Sequence, residues 1–345
     1  MQHARKRRPT RLRRAAGLAG KRKTAVRKAS AAREEQWNQR LQEQAALSYN
    51  QGYDAGYDAA LLQRPHAPVE ELARQREEAH RRGLYEGGEE IVDTILPDEE
   101  MLPDIGVQQI IEAGIRALQP AKIHVLNAME VTGRLSHAMD TGRPLSVIRL
   151  GDGELLTMAQ GTVLSDEEVV KRGGFLPYAG VRLPDYAARD QLVDAIGKAD
   201  IVGIPKLRLP NFQPLAFAVF RAHGIDYRQL QLTLSTVNYA IYLERYLPVL
   251  LRHRRVLVAG NAADGLAQAL RGQGIQVTGT VTPVAGMQDI PRVMQAIAAH
   301  SFDIALVSAG IPAVVIVQQI ATELGRTAID FGHLADAFSK GEAVL

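Results

Sequence analysis

From about residue 122 onward the chain alternates short apolar runs with helical segments. That alternation constrains the fold more than any other feature. The runs SVIRL (146–150), ADIVGIP (199–205), RRVLVAG (254–260), GIQVTGTV (274–281), FDIALVSAG (302–310) and RTAIDFG (326–332) are short, β-branched and bounded by Gly or Pro, as buried strands are. Helical patterns fall between them at about 185–198, 213–223, 237–251, 262–273, 289–299 and 311–324. Buried strands separated by helices predict an α/β protein: a Rossmann-like, mostly parallel sheet with helices on both faces.

The first third has a different character. Residues 1–30 carry twelve Lys or Arg and no acid. Without those twelve, 29 Lys and Arg face 38 Asp and Glu, so the rest of the chain is near −9. A segment this basic and this poor in large apolar residues is expected to stay disordered. Residues 1–32 are therefore read as a basic tail, either a solubilising segment or a contact for nucleic acid, anionic lipid or an acidic protein. Residues 33–86 read as a helical extension: one helix over 33–63, then a second, polar one over about 69–83 that ends at Gly83. The first holds a four-residue repeat that places Tyr49, Tyr53 and Tyr57 near one face and Gly52 and Gly56 on an adjacent stripe. Close packing on another helix, including that of a second copy, is one return for the glycines; a marginal helix held by Tyr–Tyr contacts is the other. Residues 87–121 are expected to be a linker over 87–105, with Gly87-Gly88, Pro97 and Pro103, and a helix over about 107–118 that ends at Pro120. The α/β domain then spans 122–345.

Several chemistries are excluded. With no Cys, disulfides, zinc fingers, iron–sulfur clusters and thiol catalysis fall away. No apolar run approaches the ~20 residues of a membrane span, and no apolar stretch follows the basic N-terminus as in a signal peptide. A cytoplasmic protein is the expectation. No nucleophile elbow, zinc-protease helix or kinase signature is present.

Ligands of parallel α/β sheets bind at the carboxyl ends of the strands, so the strand exits hold the candidate residues. SVIRL runs into Gly151-Asp152-Gly153-Glu154. Two glycines permit a sharp turn, and two carboxylates two apart suit Mn²⁺ or Mg²⁺ bound together with a diphosphate. Arg149 offers a bidentate fork for a phosphate, and the helix that follows offers its N-terminus. The alternative is a Gly-Asp-Gly turn with a capping Asp and a solvent-facing Glu. VLVAG leads into Asn261-Ala-Ala-Asp264-Gly265, with Gly260 and Asn261 as candidate nucleotide contacts, although neither the NAD fingerprint nor the P-loop order is present. LVSAGI places Ser308 before a helix, as a nucleotide contact or a plain tight turn. Asp330 and His333 close the last strand, where they would orient one another, touch a sugar hydroxyl or serve structure alone. Two further segments stand out. The loop Gly173-Gly-Phe175-Leu-Pro-Tyr178-Ala-Gly180 is suited to flank a base or sugar or to close as a lid. In Ser235-Thr-Val-Asn238-Tyr, Asn238 is the candidate ligand contact and Ser235 or Thr236 the helix cap.

Taken together, Arg-x-Gly-Asp-Gly-Glu after a strand, FLPYAG, STVNY, VLVAGN, SAG before a helix and the terminal DFGHLAD resemble the GT-D type of bacterial glycosyltransferase. The likeness covers about residues 122–340, and the Tyr/Gly repeat resembles the helix that precedes this domain in related bacterial proteins. The basic tail is no part of it. The resemblance implies a domain that binds a nucleotide-diphosphate sugar, a UDP-sugar first among them, with Asp152 and Glu154 holding Mn²⁺ or Mg²⁺ on the diphosphate. It favours nucleotide contacts for Arg149, Gly151, Gly153 and the Asn261 loop, and puts Asp330 and His333 near the pocket. Tyr178, Asn238, Gly260 and Ser308 complete the candidate substrate contacts. The expected activity is metal-dependent transfer of the sugar to a glycan or glycoprotein acceptor, with Asp330, His333 and Asp152 as candidate bases. The competing expectation is a non-catalytic nucleotide-binding or scaffold protein recruited through its tail and Tyr-rich helix.

Overall fold

The computed structural model describes residues 69–345. The basic tail and the Tyr/Gly repeat lie outside the described residues. The chain divides into two units, Met1–Ala121 and Lys122–Leu345.

In the first unit, α1 (Val69–Leu84) passes through a π-helical turn at Tyr85–Glu89 into α2 (Glu90–Ile95). The expected end at Gly83 and the expected linker from 87 are thus corrected: helix continues to Ile95. Gly87 and Gly88 are poor helix formers, which is what suggested a break. A Cβ on Gly88 would lie 3.0 Å from Val107, so that glycine permits a close approach to α3 (Val107–Ala117).

The second unit is built on one sheet of seven strands. They are β1 (Leu145–Arg149), β2 (Ile201–Ile204), β3 (Leu232–Leu234), β4 (Arg255–Gly260), β5 (Gln276–Val281), β6 (Ile304–Ser308) and β7 (Thr327–Asp330). Their order is β3-β2-β1-β7-β6-β4-β5, and every pairing is parallel. Successive strand residues face opposite sides, and here both sides are buried. Ile148, Val202, Leu257, Val307 and Ala328 point into one core. Val147, Ile201, Val258, Leu306 and Ile329 point into the other.

The first core is covered by α5 (Asp152–Ala159), α6 (Asp166–Arg172), α7 (Tyr186–Lys198), α8 (Gln213–Ala222), α12 (Ile290–Ala298) and α13 (Pro312–Leu324). The second is covered by α4 (Ala128–Thr141), α9 (Val237–Leu243), α10 (Leu247–Leu251), α11 (Ala263–Gly272) and α14 (Leu334–Ser339). Helices on both faces of a parallel sheet are what the alternating sequence predicts.

Three features differ from the sequence reading. The helix expected over 237–251 is two helices: Arg245 turns left-handed at φ 65°, and Pro248 sits in the first turn of α10, where its missing N–H costs nothing. Strand β3, three residues long, joins the sheet beside β2, and the Thr233 hydroxyl donates to the Leu126 carbonyl at 2.7 Å. Helix α4 opens on a capping box, with the Asn127 side chain accepting from the Glu130 N–H at 2.9 Å and Glu130 returning the bond at 2.8 Å.

Candidate active site

The first three strands build outward from β1 in one direction, while β7, β6, β4 and β5 lie on the other side. The order reverses beside β1, and the crevice at such a reversal, at the carboxyl ends, is where doubly wound sheets bind ligands. Register aligns the exits there: Val307 pairs with Asp330, and Gly260 pairs with Ser308.

Arg149 ends β1 and is the hub of the crevice. Its Nε donates to the Asp330 carbonyl at 2.9 Å, and one terminal nitrogen donates to an Asp330 carboxylate oxygen at 2.9 Å. The other terminal nitrogen donates to the Ser235 carbonyl at 2.9 Å and to Asn238 Oδ1 at 3.2 Å. Four of the five guanidinium donors are thus spent on β7, on Ser235 after β3 and on Asn238 in the first turn of α9. The expected bidentate fork for a phosphate is not on offer in this arrangement. Asn238, buried, is likewise occupied: its Nδ2 donates to the Phe331 carbonyl at 2.8 Å. The sequence reading missed Gly332. Its φ is +54°, and a Cβ there would sit 1.9 Å from an Arg149 terminal nitrogen, so only glycine leaves room for the guanidinium.

The turn after β1 folds as helix N-terminus. Gly151 is the N-cap of α5, and Glu154 returns its carboxylate to the Gly151 N–H at 2.7 Å. An Asp152 carboxylate oxygen accepts from the Gly153 N–H at 3.0 Å. Each carboxylate therefore uses one oxygen to satisfy an orphan amide of its own helix. Burial pushes the Glu154 carboxyl up to about 7; Asp330 nearby pushes the same way, and the Gly151 N–H and Arg149 oppose it. Burial also raises Asp152. Asp330 is raised by burial too, against the pull of Arg149 and of the Gly332 N–H. His333 stands at the start of α14, exposed, and acts on Asp330 electrostatically.

The remaining exits are close-packed. Gly260 has φ +134°, and a Cβ there would fall 1.9 Å from the Ser308 carbonyl. The Ser308 hydroxyl is buried without a hydrogen-bond partner among the described residues. The Asn261 side chain accepts from the Val284 N–H at 2.8 Å, so it shapes the loop after β5. Tyr178 is 95% exposed. The structure thus joins Arg149, Asp330 and Asn238 in one network, with Glu154 in electrostatic reach, and sets Gly260 against Ser308.

A family model described as a GT-D fold-like domain matches residues 126–338, well over half of the chain. The chain belongs to the GT-D-like family. No curated protein matches it. A solved structure reported as "The highly conserved domain of unknown function 1792 has a distinct glycosyltransferase fold" is similar to this GT-D-like chain at 19% identity and a TM-score of 0.42. The likeness covers 67% of this chain and 86% of that one. The resemblance read from the six segments is thereby shown at the level of the family.

Proposed function

We propose that this GT-D-like chain is a metal-dependent glycosyltransferase that moves a sugar from a nucleotide-diphosphate donor, a UDP-sugar first among them, to a glycan or glycoprotein acceptor. One observation carries the reading: the crevice has spent its positive groups on itself. Four Arg149 donors are taken by protein acceptors. The Gly151 and Gly153 amides at the start of α5 are taken by Glu154 and Asp152. Two carboxylates, Glu154 and Asp330, share one guanidinium, and Asp152 adds a third acid to the same turn as Glu154. A diphosphate entering such a site needs a cation brought with it.

Asp152 and Glu154 stand two apart in the first turn of α5, and the reading assigns them to a hard divalent ion. Asp152 and Glu154 each keep one carboxylate oxygen outside the turn's own hydrogen bonds, and Mg²⁺-type ions are commonly held by one or two carboxylates plus substrate phosphates. Among the described residues no cluster of three or more His, Asp or Glu is poised to hold a metal. When bound, Mn²⁺ or Mg²⁺ supplies neutralisation of the departing nucleoside diphosphate. Arg149 holds the exits of β1 and β7 and the start of α9 in place, which fixes the turn from which Asp152 and Glu154 project. Of the candidate bases, Asp330 is tied to Arg149 and Asp152 is assigned to the ion; exposed His333 is the group left to accept the acceptor's proton.

The committed Arg149 also favours the competing reading, a nucleotide-binding protein without catalysis, because a closed ion pair can be purely structural. Calorimetric titration of UDP, then UDP-glucose, with and without Mn²⁺, tests the donor site, and release of UDP from UDP-glucose in the presence of Mn²⁺ separates the two readings. Binding strengthened by Mn²⁺ in the wild type and lost in Asp152→Ala supports the transferase. Unchanged metal dependence in Asp152→Ala removes the turn from the donor site.

A further inference from the structure

The segment Gly173–Gly180 is pinned at both ends and bares two aromatic rings between them. Its amino end is locked because Gly173 lies where a Cβ would meet Leu176 at 2.5 Å and the Val169 carbonyl at 2.9 Å, and Leu176 itself is fully buried. Its carboxyl end is held by two other loops. The Ala179 carbonyl accepts from the Ile311 N–H at 3.1 Å, and the Gly180 carbonyl from the Met287 N–H at 3.1 Å. Inside, the Tyr178 and Ala179 amides both donate to the Phe175 carbonyl, at 3.0 and 3.1 Å, and Val181 N–H to Leu176 at 3.0 Å. In this structure the backbone of the segment is bonded along its length, as an arm that holds its rings in place.

Within that wound turn Phe175 and Tyr178 are three residues apart, the spacing that brings side chains to one side of a helical turn. Phe175 is 41% exposed and Tyr178 95%, and no hydrogen bond holds the Tyr178 hydroxyl among the described residues. The Phe175 ring edge lies 3.4 Å from where a Cβ on Gly153 would be. The arm therefore starts against the Asp152–Glu154 turn and runs out into solvent. A tyrosine ring held in water beside that turn offers a ligand an apolar flat face.

We propose that Phe175 and Tyr178 form a stacking platform for the acceptor saccharide, whose ring C–H groups meet the negative faces of the aromatic rings. The inference rests on the transferase reading above. An open platform beside the reacting end suits an acceptor, which comes and goes from solvent, whereas a nucleobase is held by enclosure, and Tyr178 is 95% exposed.

The test uses the full chain and two probes. Saturation-transfer NMR with cellobiose and N,N′-diacetylchitobiose reads sugar stacking, and UDP titration with Mn²⁺ reads the donor site. We expect the wild type and Tyr178→Phe, which keeps the ring, to saturate C–H protons on one sugar face. In Tyr178→Ala the effect should fall about ten-fold, with UDP affinity unchanged. The exposure of Tyr178 makes this variant safe for folding. A fall in UDP affinity with sugar contacts intact would overturn the platform and place the rings on the nucleobase. Absence of saturation in the wild type would overturn it as well. Failure of UDP to bind the wild type, with sugar stacking present, would sink the donor reading and leave the platform standing.

Discussion

Removing the Arg149 side chain should unsettle the fold before it affects any ligand. In Arg149→Met the Asp330 carboxylate, 4% exposed, loses its one ion-pair partner among the described residues, and the Ser235 carbonyl and Asn238 Oδ1 lose a donor. Breaking one side of a buried pair costs about 3–5 kcal/mol, because a desolvated charge is left behind. For a domain of this size that is a fall in melting temperature of about 10 °C, and a large fraction of the 5–15 kcal/mol that holds a typical domain together. Asp330→Asn alone should cost less, since the amide oxygen can still accept from Arg149. The double variant should cost clearly less than the sum, with a coupling of about 2 kcal/mol. Urea denaturation followed by circular dichroism measures all three. If the pair proves additive, or if Arg149→Met keeps its stability and loses only UDP affinity, then the guanidinium serves the phosphate and not the strands.

Gly332→Ala should act on the same hub. A left-handed alanine costs about 1 kcal/mol by itself, the amount expected at Gly325, whose φ is +64° with nothing within 4 Å. The clash with Arg149 should make Gly332→Ala cost about 3 kcal/mol, and equal losses at the two positions would contradict the packing described. A second prediction concerns acid. Asp289 is held down to about 2 by hydrogen bonds from Arg292 and from the Ala285 N–H, against burial. A carboxylate lowered on folding adds stability that is complete above its unfolded value near 3.8 and is lost as pH falls towards 2. Because Arg292 is 49% exposed, screening leaves about 1 kcal/mol. Asp289→Asn should flatten that part of the stability curve; an unchanged acid slope would count against the pairing.

The β-branched runs made the parallel sheet readable, because strands buried on both faces need no polar alternation. What went unread was local or cooperative. Strand β3 has three residues, too few for a periodic signal, and is a strand because Val202 and Ile204 lie beside it. Helix α4 had a signal, the Asn127-x-x-Glu130 box, whose four residues precede no strong apolar stripe. In the crevice the residue types were legible and their partners were not. Arginine before Gly-Asp-Gly-Glu looks like a phosphate ligand in one dimension. Only the sheet order, which sets β7 against β1, brings the carboxyl group of residue 330 to it across 181 positions of sequence.

Both edges of this sheet are tied by polar side chains, and this bears on where specificity can change. At the amino edge the Asp200 carboxylate accepts from the Ser146 N–H and hydroxyl at 2.8 and 2.7 Å, and Asp303 accepts from the Arg255 backbone and guanidinium at 2.7 Å each. Each staple joins neighbouring strands at their start, as Arg149 joins them at their end. A sheet fixed at both edges holds the Asp152–Glu154 turn to one position, as the proposed transfer would require. On that reading it also leaves no freedom in the crevice floor to fit different acceptors. That freedom must lie in side chains that face solvent on the arms around it. Tyr178 is the most exposed of these among the large hydrophobic residues described. If the proposed platform holds, replacing Tyr178 should alter what the site recognises at almost no cost to the fold, whereas replacing Arg149 should alter the fold before any ligand is bound.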